Sequence, residues 1–359
     1  MKYRIRFEKR EKISTLRVLL VTLLCVALAL VFCGIIIAAT GFEPLKVYRE
    51  MFLKSFLSQK GFQKMLTASL PLIFCSLGVA LAFRMNLNNI GAEGQYAIGV
   101  IAGGAFVFYG PHIEGFPGIL LLALCCFLGG ALWASIAAIP KALWNVNESI
   151  TTLLMNYIAL EILTYLCLGP WKMSGQNVAQ TERIPEGLDL PELHVFGFDI
   201  SVGIIIGIIA AVIIYIVYKH TTGGYELNVI SHSTKSAEYA GMNIKRNVIL
   251  VLAVSGGLAG LGGFAQYSGV THRIMEGMPN GVGYTAIVVA YLSRLNPLVV
   301  VIVSLLFVGL QNSTVYVQIM GVSVRIASMM QGAIMLFVIA GEFFQRYRII
   351  VTGKEVAAE

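Results

Sequence analysis

Residues 86–95 gather four carboxamides and one carboxylate in a single short stretch: Asn86, Asn88, Asn89, Glu93 and Gln95, broken by Gly91 and Gly94. Amides both donate and accept hydrogen bonds while staying neutral, which suits a hydroxyl-rich ligand. The glycines permit a turn or a close backbone approach. The same side chains would serve equally well as a cytoplasmic turn that caps the next helix, and both readings stand at this point. A second cluster holds Asn145, Asn147, Glu148, Ser149, Thr151 and Thr152, followed by Asn156 and Tyr157. Asn147 or Ser149 makes an ordinary N-cap, and Glu148 suits a helix start. Asn156 lies further in, where an amide between membrane helices contributes about 1 kcal/mol or less. Glu161 follows, near the outer interface, and a carboxylate at membrane depth is a functional candidate.

Soluble catalytic equipment is missing from the sequence. No GxxxxGK[ST] phosphate loop occurs, so ATP chemistry is not expected on this chain. His112, His194, His220, His232 and His272 are scattered, without HExxH spacing or a nucleophile elbow. The six cysteines all fall in apolar runs and read as small core residues, not as disulfides or metal ligands. Neither a bound cofactor nor a metal is expected.

The elements that must position the polar clusters are membrane helices. Residues 18–42, 65–83, 94–113, 115–140, 200–218, 247–272, 277–293, 295–324 and 326–341 carry no charge, and 149–170 carries only Glu161. About 20 apolar helical residues cross a hydrocarbon core of about 30 Å, and backbone groups in lipid must be satisfied within such a segment. Only 13% of residues are charged and mean hydropathy is +0.79, against about 25% charged in soluble domains. The fold class is therefore an all-α polytopic membrane protein of about ten spans. Ten spans divide into two five-helix halves, and an odd number per half makes any repeat inverted. Ala97–Ala105 and Gly281–Ala290 are the corresponding Gly-interrupted segments. The chain divides into a basic N-terminus, 1–17, one transmembrane domain, 18–345, and a tail, 346–359.

Placing the N-terminus in the cytoplasm puts 17 of the 26 Lys and Arg residues inside, in the sense of the positive-inside rule. This accounts for the net charge of +7 without nucleic acid. Five of the nine outer exceptions (Lys46, Arg49, Lys54, Lys60 and Lys64) sit in 44–65, where Leu45, Tyr48, Phe52 and Phe56 recur at helical spacing. An amphipathic helix lying on the outer lipid surface explains them. The N-terminal run is too long for a signal peptide and reads as an uncleaved span. Residues 171–199 form an outer loop in which Pro185 and Pro191 preclude one continuous helix. Gly256 and Gly260 form a small-xxx-small face that reads as tight packing, or alternatively as a hinge. A short cytoplasmic helix is expected from Ser233 to Ala240, ended by Gly241.

Several strings then form an ordered set: Glu43–Arg49, Leu81–Arg84 leading into Asn89–Gln95, Asn147–Ala159, Gly224–Leu227, Ala237–Asn243 and Leu295–Pro297. Together they resemble the membrane permeases of bacterial ABC importers in the ribose and branched-chain amino-acid permease superfamily, most closely its nucleoside-uptake branch. The resemblance implies a multi-pass permease of the bacterial cell membrane with both termini cytoplasmic. It would pair with a second permease, often as a heterodimer, use ATP on separate cytoplasmic ATPase subunits, and receive nucleoside from an extracellular substrate-binding lipoprotein. The family's signature stretch maps onto Asn88 through Phe106, including Asn89, Gly91, Glu93, Gly94, Gln95 and Tyr96, with Asn147, Glu148 and Asn156 beside it. The ATPase-coupling stretch maps onto Ser233, Ala237, Glu238, Tyr239, Ala240 and Gly241. Members often carry Phe where this chain has Asn88, and an acidic residue near Thr285, which bears on the solute more than on the activity. Residue chemistry alone leaves open a sugar permease, an ion-coupled transporter, and a receptor without flux.

Overall fold

Each charge-free run folds as helix because its backbone polar groups have no other partners in lipid. The computed structural model describes residues 3–9, 15–175, 177–195 and 197–353. The expected basic N-terminus and tail lie partly outside them, including Lys2, Arg10, Lys12 and Lys354. Residues 58–309 form one compact unit, and the chain before and after them forms another. Among the described residues, seven helices are long and apolar enough to cross a membrane, and this is a multi-pass membrane protein.

The larger unit begins with α3 (Gln59–Arg84), α4 (Ala92–Tyr109), α5 (Gly115–Trp144) and α6 (Glu148–Leu168). A largely non-helical connection, 171–199, follows, with a two-stranded hairpin of Glu192–Val195 and Phe198–Ser201. Then come α7 (Val202–His220), α8 (Thr222–His232), α9 (Thr234–Tyr239), α10 (Ile244–Gln266), α11 (Val282–Leu292) and the start of α12 (Pro297–Ile319). α3 and α10 are its buried centre, with little of either reaching the outside. That connection is fastened by backbone bonds from Thr181 to Ile274 and from Ile184 to His272. Asp189 reinforces it, its carboxylate meeting Arg183 and the His272 ring at 2.7 Å each.

α10 packs on α5 through glycine. A Cβ at Gly260 would run into the Cys126 carbonyl oxygen, and one at Gly130 into the Gly256 carbonyl oxygen. α10 runs unbroken through this stretch, so tight packing, not a hinge, is what these glycines provide. Gly260→Val is expected to cost about 3 kcal/mol through overpacking. The measurement is thermal unfolding of the detergent-solubilised permease, and an unchanged midpoint would contradict the packing.

The other unit holds α1 (Thr15–Ala39), α2 (Pro44–Phe52), the part of α12 from Leu310 and α13 (Val324–Arg346). Its core is Ala29, Cys33, Ile37, Val47, Met51, Val317, Val322 and Met330. Strands Tyr3–Lys9 and Tyr347–Gly353 pair antiparallel, which brings the described ends of the chain together. The amphipathic helix expected over 44–65 is corrected here. Helix α2 stops at Phe52, a π-turn fills 53–57, and Ser58 caps α3 by accepting from the Gly61 N–H. Its inner face is also offset from the expected one. Val47 and Met51 are buried, while Leu45 and Phe52 stay exposed, because Tyr48 rotates the helix by donating to the Leu30 carbonyl.

Candidate functional site

The segment joining α3 to α4 is not a cytoplasmic turn. From Arg84 the chain doubles back into the protein, and Asn89, with no exposed surface, donates to the Ser255 hydroxyl at 2.9 Å. Ser255 in turn donates to the Gly78 carbonyl. Gly78 precedes the end of α3 by about 9 Å at about 1.5 Å per residue. Irregular backbone at such depth is tolerated only inside protein or along a cavity, and here it is enclosed.

The enclosed groups satisfy one another. Asn89 and Gln95 exchange two amide bonds, at 2.9 and 3.0 Å, and the Asn89 oxygen also accepts from the Gly91 N–H. On α6, Asn156 accepts from the Gly94 N–H and donates to the Ile90 carbonyl and the Tyr284 hydroxyl. Thr152 accepts from the Ile90 N–H. Glycine is required at 94, because a Cβ there would lie 2.8 Å from the Asn156 side-chain oxygen. Asn147 caps α6 by accepting from the Ser149 N–H, and Glu148 holds Lys141 at 2.9 Å while accepting from the Asn88 N–H.

Glu93 carries the one buried charge of this knot. Its two carboxylate oxygens accept from the Gly281 and Gly283 N–H groups, both at 2.6 Å. These are the donors at the start of α11, whose N-cap, Gly281, has φ of +79°. The carboxylate thus neutralises the positive end of α11. Gly283 lets the two helix starts meet, since a Cβ there would collide with the Glu93 backbone N–H.

The predicted site residues sort accordingly. Asn89, Gly91, Glu93, Gly94, Gln95 and Asn156 come together, with Glu148 and Asn147 at the rim. Asn88 contributes its backbone and is otherwise exposed. Tyr96 is fully buried, and Phe83 is buried against Tyr291 at 5.0 Å, so neither presents a ring for stacking in this conformation. Phe106 sits about 20 Å along α4 from Glu93 and does not join them. Ser255 and Tyr284 were missed; Ser255 had one signal, a hydroxyl beside the Gly256 packing face.

At the α8–α9 corner Ser233 caps α9, and Glu238, Tyr239, Ala240 and Gly241 are exposed, Tyr239 by 93%. Ala237 corrects the expectation of a small docking contact, because it is completely buried within this chain. On α6 the face bearing Tyr157, Glu161 and Tyr165 is exposed. Glu161 lies about 20 Å from the start of the helix and about 10 Å from its end. A charge near a membrane helix centre costs about 2.5–3.5 kcal/mol against lipid on insertion scales.

The family model described as branched-chain amino acid transport system / permease component matches residues 61–339. The chain belongs to this permease family. Among its relatives, the glucose ABC transporter permease protein TsgB13 of Haloferax volcanii is 33% identical over 91% of this chain and 88% of its own. The guanosine ABC transporter permease protein NupP of Bacillus subtilis is 30% identical over 89% and 92%. The nucleoside ABC transporter permease protein NupB of Lactococcus lactis subsp. cremoris is 29% identical over 90% and 91%. No solved structure matches the chain. As a permease of this family it is a transport subunit of an ABC system, and the matched region contains the whole polar knot and α9.

Proposed function

We propose that this permease carries nucleosides into the cell by alternating access, driven by ATPase subunits on other chains. The observation that carries the reading is the Glu93 cap. In many transporters the N-termini of broken helices face an anionic group of the solute. Here the start of α11 is already occupied by the chain's own carboxylate. A phosphate or free carboxylate would find its positive end taken, while a neutral, hydroxylated solute loses nothing by it. The remaining polar groups of the knot are amides and hydroxyls, and two of the relatives are named for guanosine or nucleoside transport.

The proposal includes ten spans in two inverted halves, cytoplasmic termini, and a second permease as partner. A substrate-binding lipoprotein would deliver solute at the outer segment, 171–199, and α9 would dock on the ATPase. A sugar permease is the second reading, favoured by the 33% identity to a glucose permease. Uptake of labelled guanosine by the complete importer, challenged with unlabelled solutes, tests the choice. Purine and pyrimidine nucleosides should compete and glucose and ribose should not; the reverse pattern would replace the nucleoside reading with the sugar one.

A further inference from the structure

We propose that the Tyr157–Glu161–Tyr165 face of α6 is a solute-contacting wall of the translocation passage, with Glu161 accepting hydrogen bonds from solute hydroxyls between two tyrosine rings. The inference rests on the transport reading and adds a contact site to it. Residues four apart lie on one helical face, so the two phenols bracket the carboxylate. All three side chains are exposed in the chain. Glu161 has no hydrogen-bond or ionic partner among the described residues, and α6 carries no Lys or Arg.

A carboxylate well inside the helix and turned away from its own protein is unfavourable against hydrocarbon, which favours water or a polar solute opposite it. A shallow, open depression lies over this face, lined by Tyr157, Ile158, Glu161, Ile162 and Tyr165, all on α6. An aromatic ring beside an acceptor matches a solute with one flat face and several hydroxyls: the ring stacks a base or the apolar face of a sugar, and the carboxylate accepts hydrogen bonds from two hydroxyls. The buried amides of the knot are saturated by one another, so this face offers acceptor capacity that the knot does not.

The test uses the complete importer in membrane vesicles with a membrane-impermeant thiol reagent on both sides. Glu161→Cys should be labelled, as should Val178→Cys in the outer segment, and saturating transported solute should slow labelling at 161 at least three-fold. Val178→Cys labelled with Glu161→Cys untouched would mean that lipid or the second permease covers the face, and would overturn the proposal. Should Glu161→Cys fail to assemble, Tyr157→Cys reports on the same face by the same criterion. In uptake, Glu161→Gln should raise KM about ten-fold with the maximal rate within two-fold, and Tyr157→Ala should raise KM. A KM unchanged in both Glu161→Gln and Tyr157→Ala would also overturn it. A KM effect seen for glucose and not for guanosine would uphold the wall while refuting the nucleoside reading.

Discussion

Glu93→Ala is expected to lower the stability of the permease by about 3 kcal/mol and uptake by at least ten-fold. Two hydrogen bonds of 2.6 Å to a carboxylate disappear together, and bonds to a charged group contribute about 1.5–3 kcal/mol each. Part of that loss is offset because a buried charge is removed with them. The start of α11 then has two N–H groups without their acceptor, that of Gly283 within the buried interior. Glu93→Gln retains one carbonyl oxygen but turns an NH₂ group toward the second donor, so it should fall between alanine and wild type. Glu93→Asp keeps the charge on a shorter arm and should not span both donors. The measurements are the unfolding midpoint in detergent and initial uptake rates at matched expression. Wild-type values for both in Glu93→Ala would show that the cap is dispensable and would remove the support it gives to a neutral solute.

The reach of the sequence follows the range of the interactions. All ten runs lacking charge, or nearly so, coincide with helices, because lipid leaves an apolar backbone few other choices. Local capping was equally legible: Asn147 bonds the Ser149 N–H two residues on, and Ser233 bonds the Ser236 N–H three residues on. The knot was not, because its bonds close across the fold. Glu93 meets Gly281 at a separation of 188 residues, and Asn89 meets Ser255 at 166. The string Asn86–Gln95 announced polar chemistry without stating whether its partners were solute, water or protein. Where a helix faces was also hidden. The period of Leu45, Tyr48, Phe52 and Phe56 marked α2, yet Val47 and Met51 were the residues buried, since the choice of inner face depended on α1 and α13. Similarly, Ala237 read as a docking contact, whereas it is completely buried within the chain.

Tyr239→Ala is expected to reduce uptake at least ten-fold while leaving the amount of permease in the membrane unchanged. Tyr239 ends α9 with its ring almost wholly free of its own chain, the state of an anchor awaiting a partner, and tyrosine is enriched among the few residues that dominate interfaces. Ala237 is the wrong place for this test, since a charged side chain there would disrupt the α8–α9 corner before it disturbed any docking. The adjoining α8 ties this corner to the segment that enters the knot and to α10. Asn86 donates to the Ser231 carbonyl at the end of α8, at 2.7 Å, and Asn247 on α10 donates to Glu226 on α8, at 2.8 Å. A displacement of α9 therefore pulls on Asn86, three residues before Asn89, and so on the segment that carries the α11 cap. Spatial continuity alone does not establish coupling. Asn86→Ala should accordingly reduce uptake two- to five-fold, and the double variant should be no worse than Tyr239→Ala alone, as two steps on one route require. Losses that multiply in the double variant would mean that α9 and the knot act separately. Full uptake in Tyr239→Ala would mean that the ATPase grips the permease elsewhere.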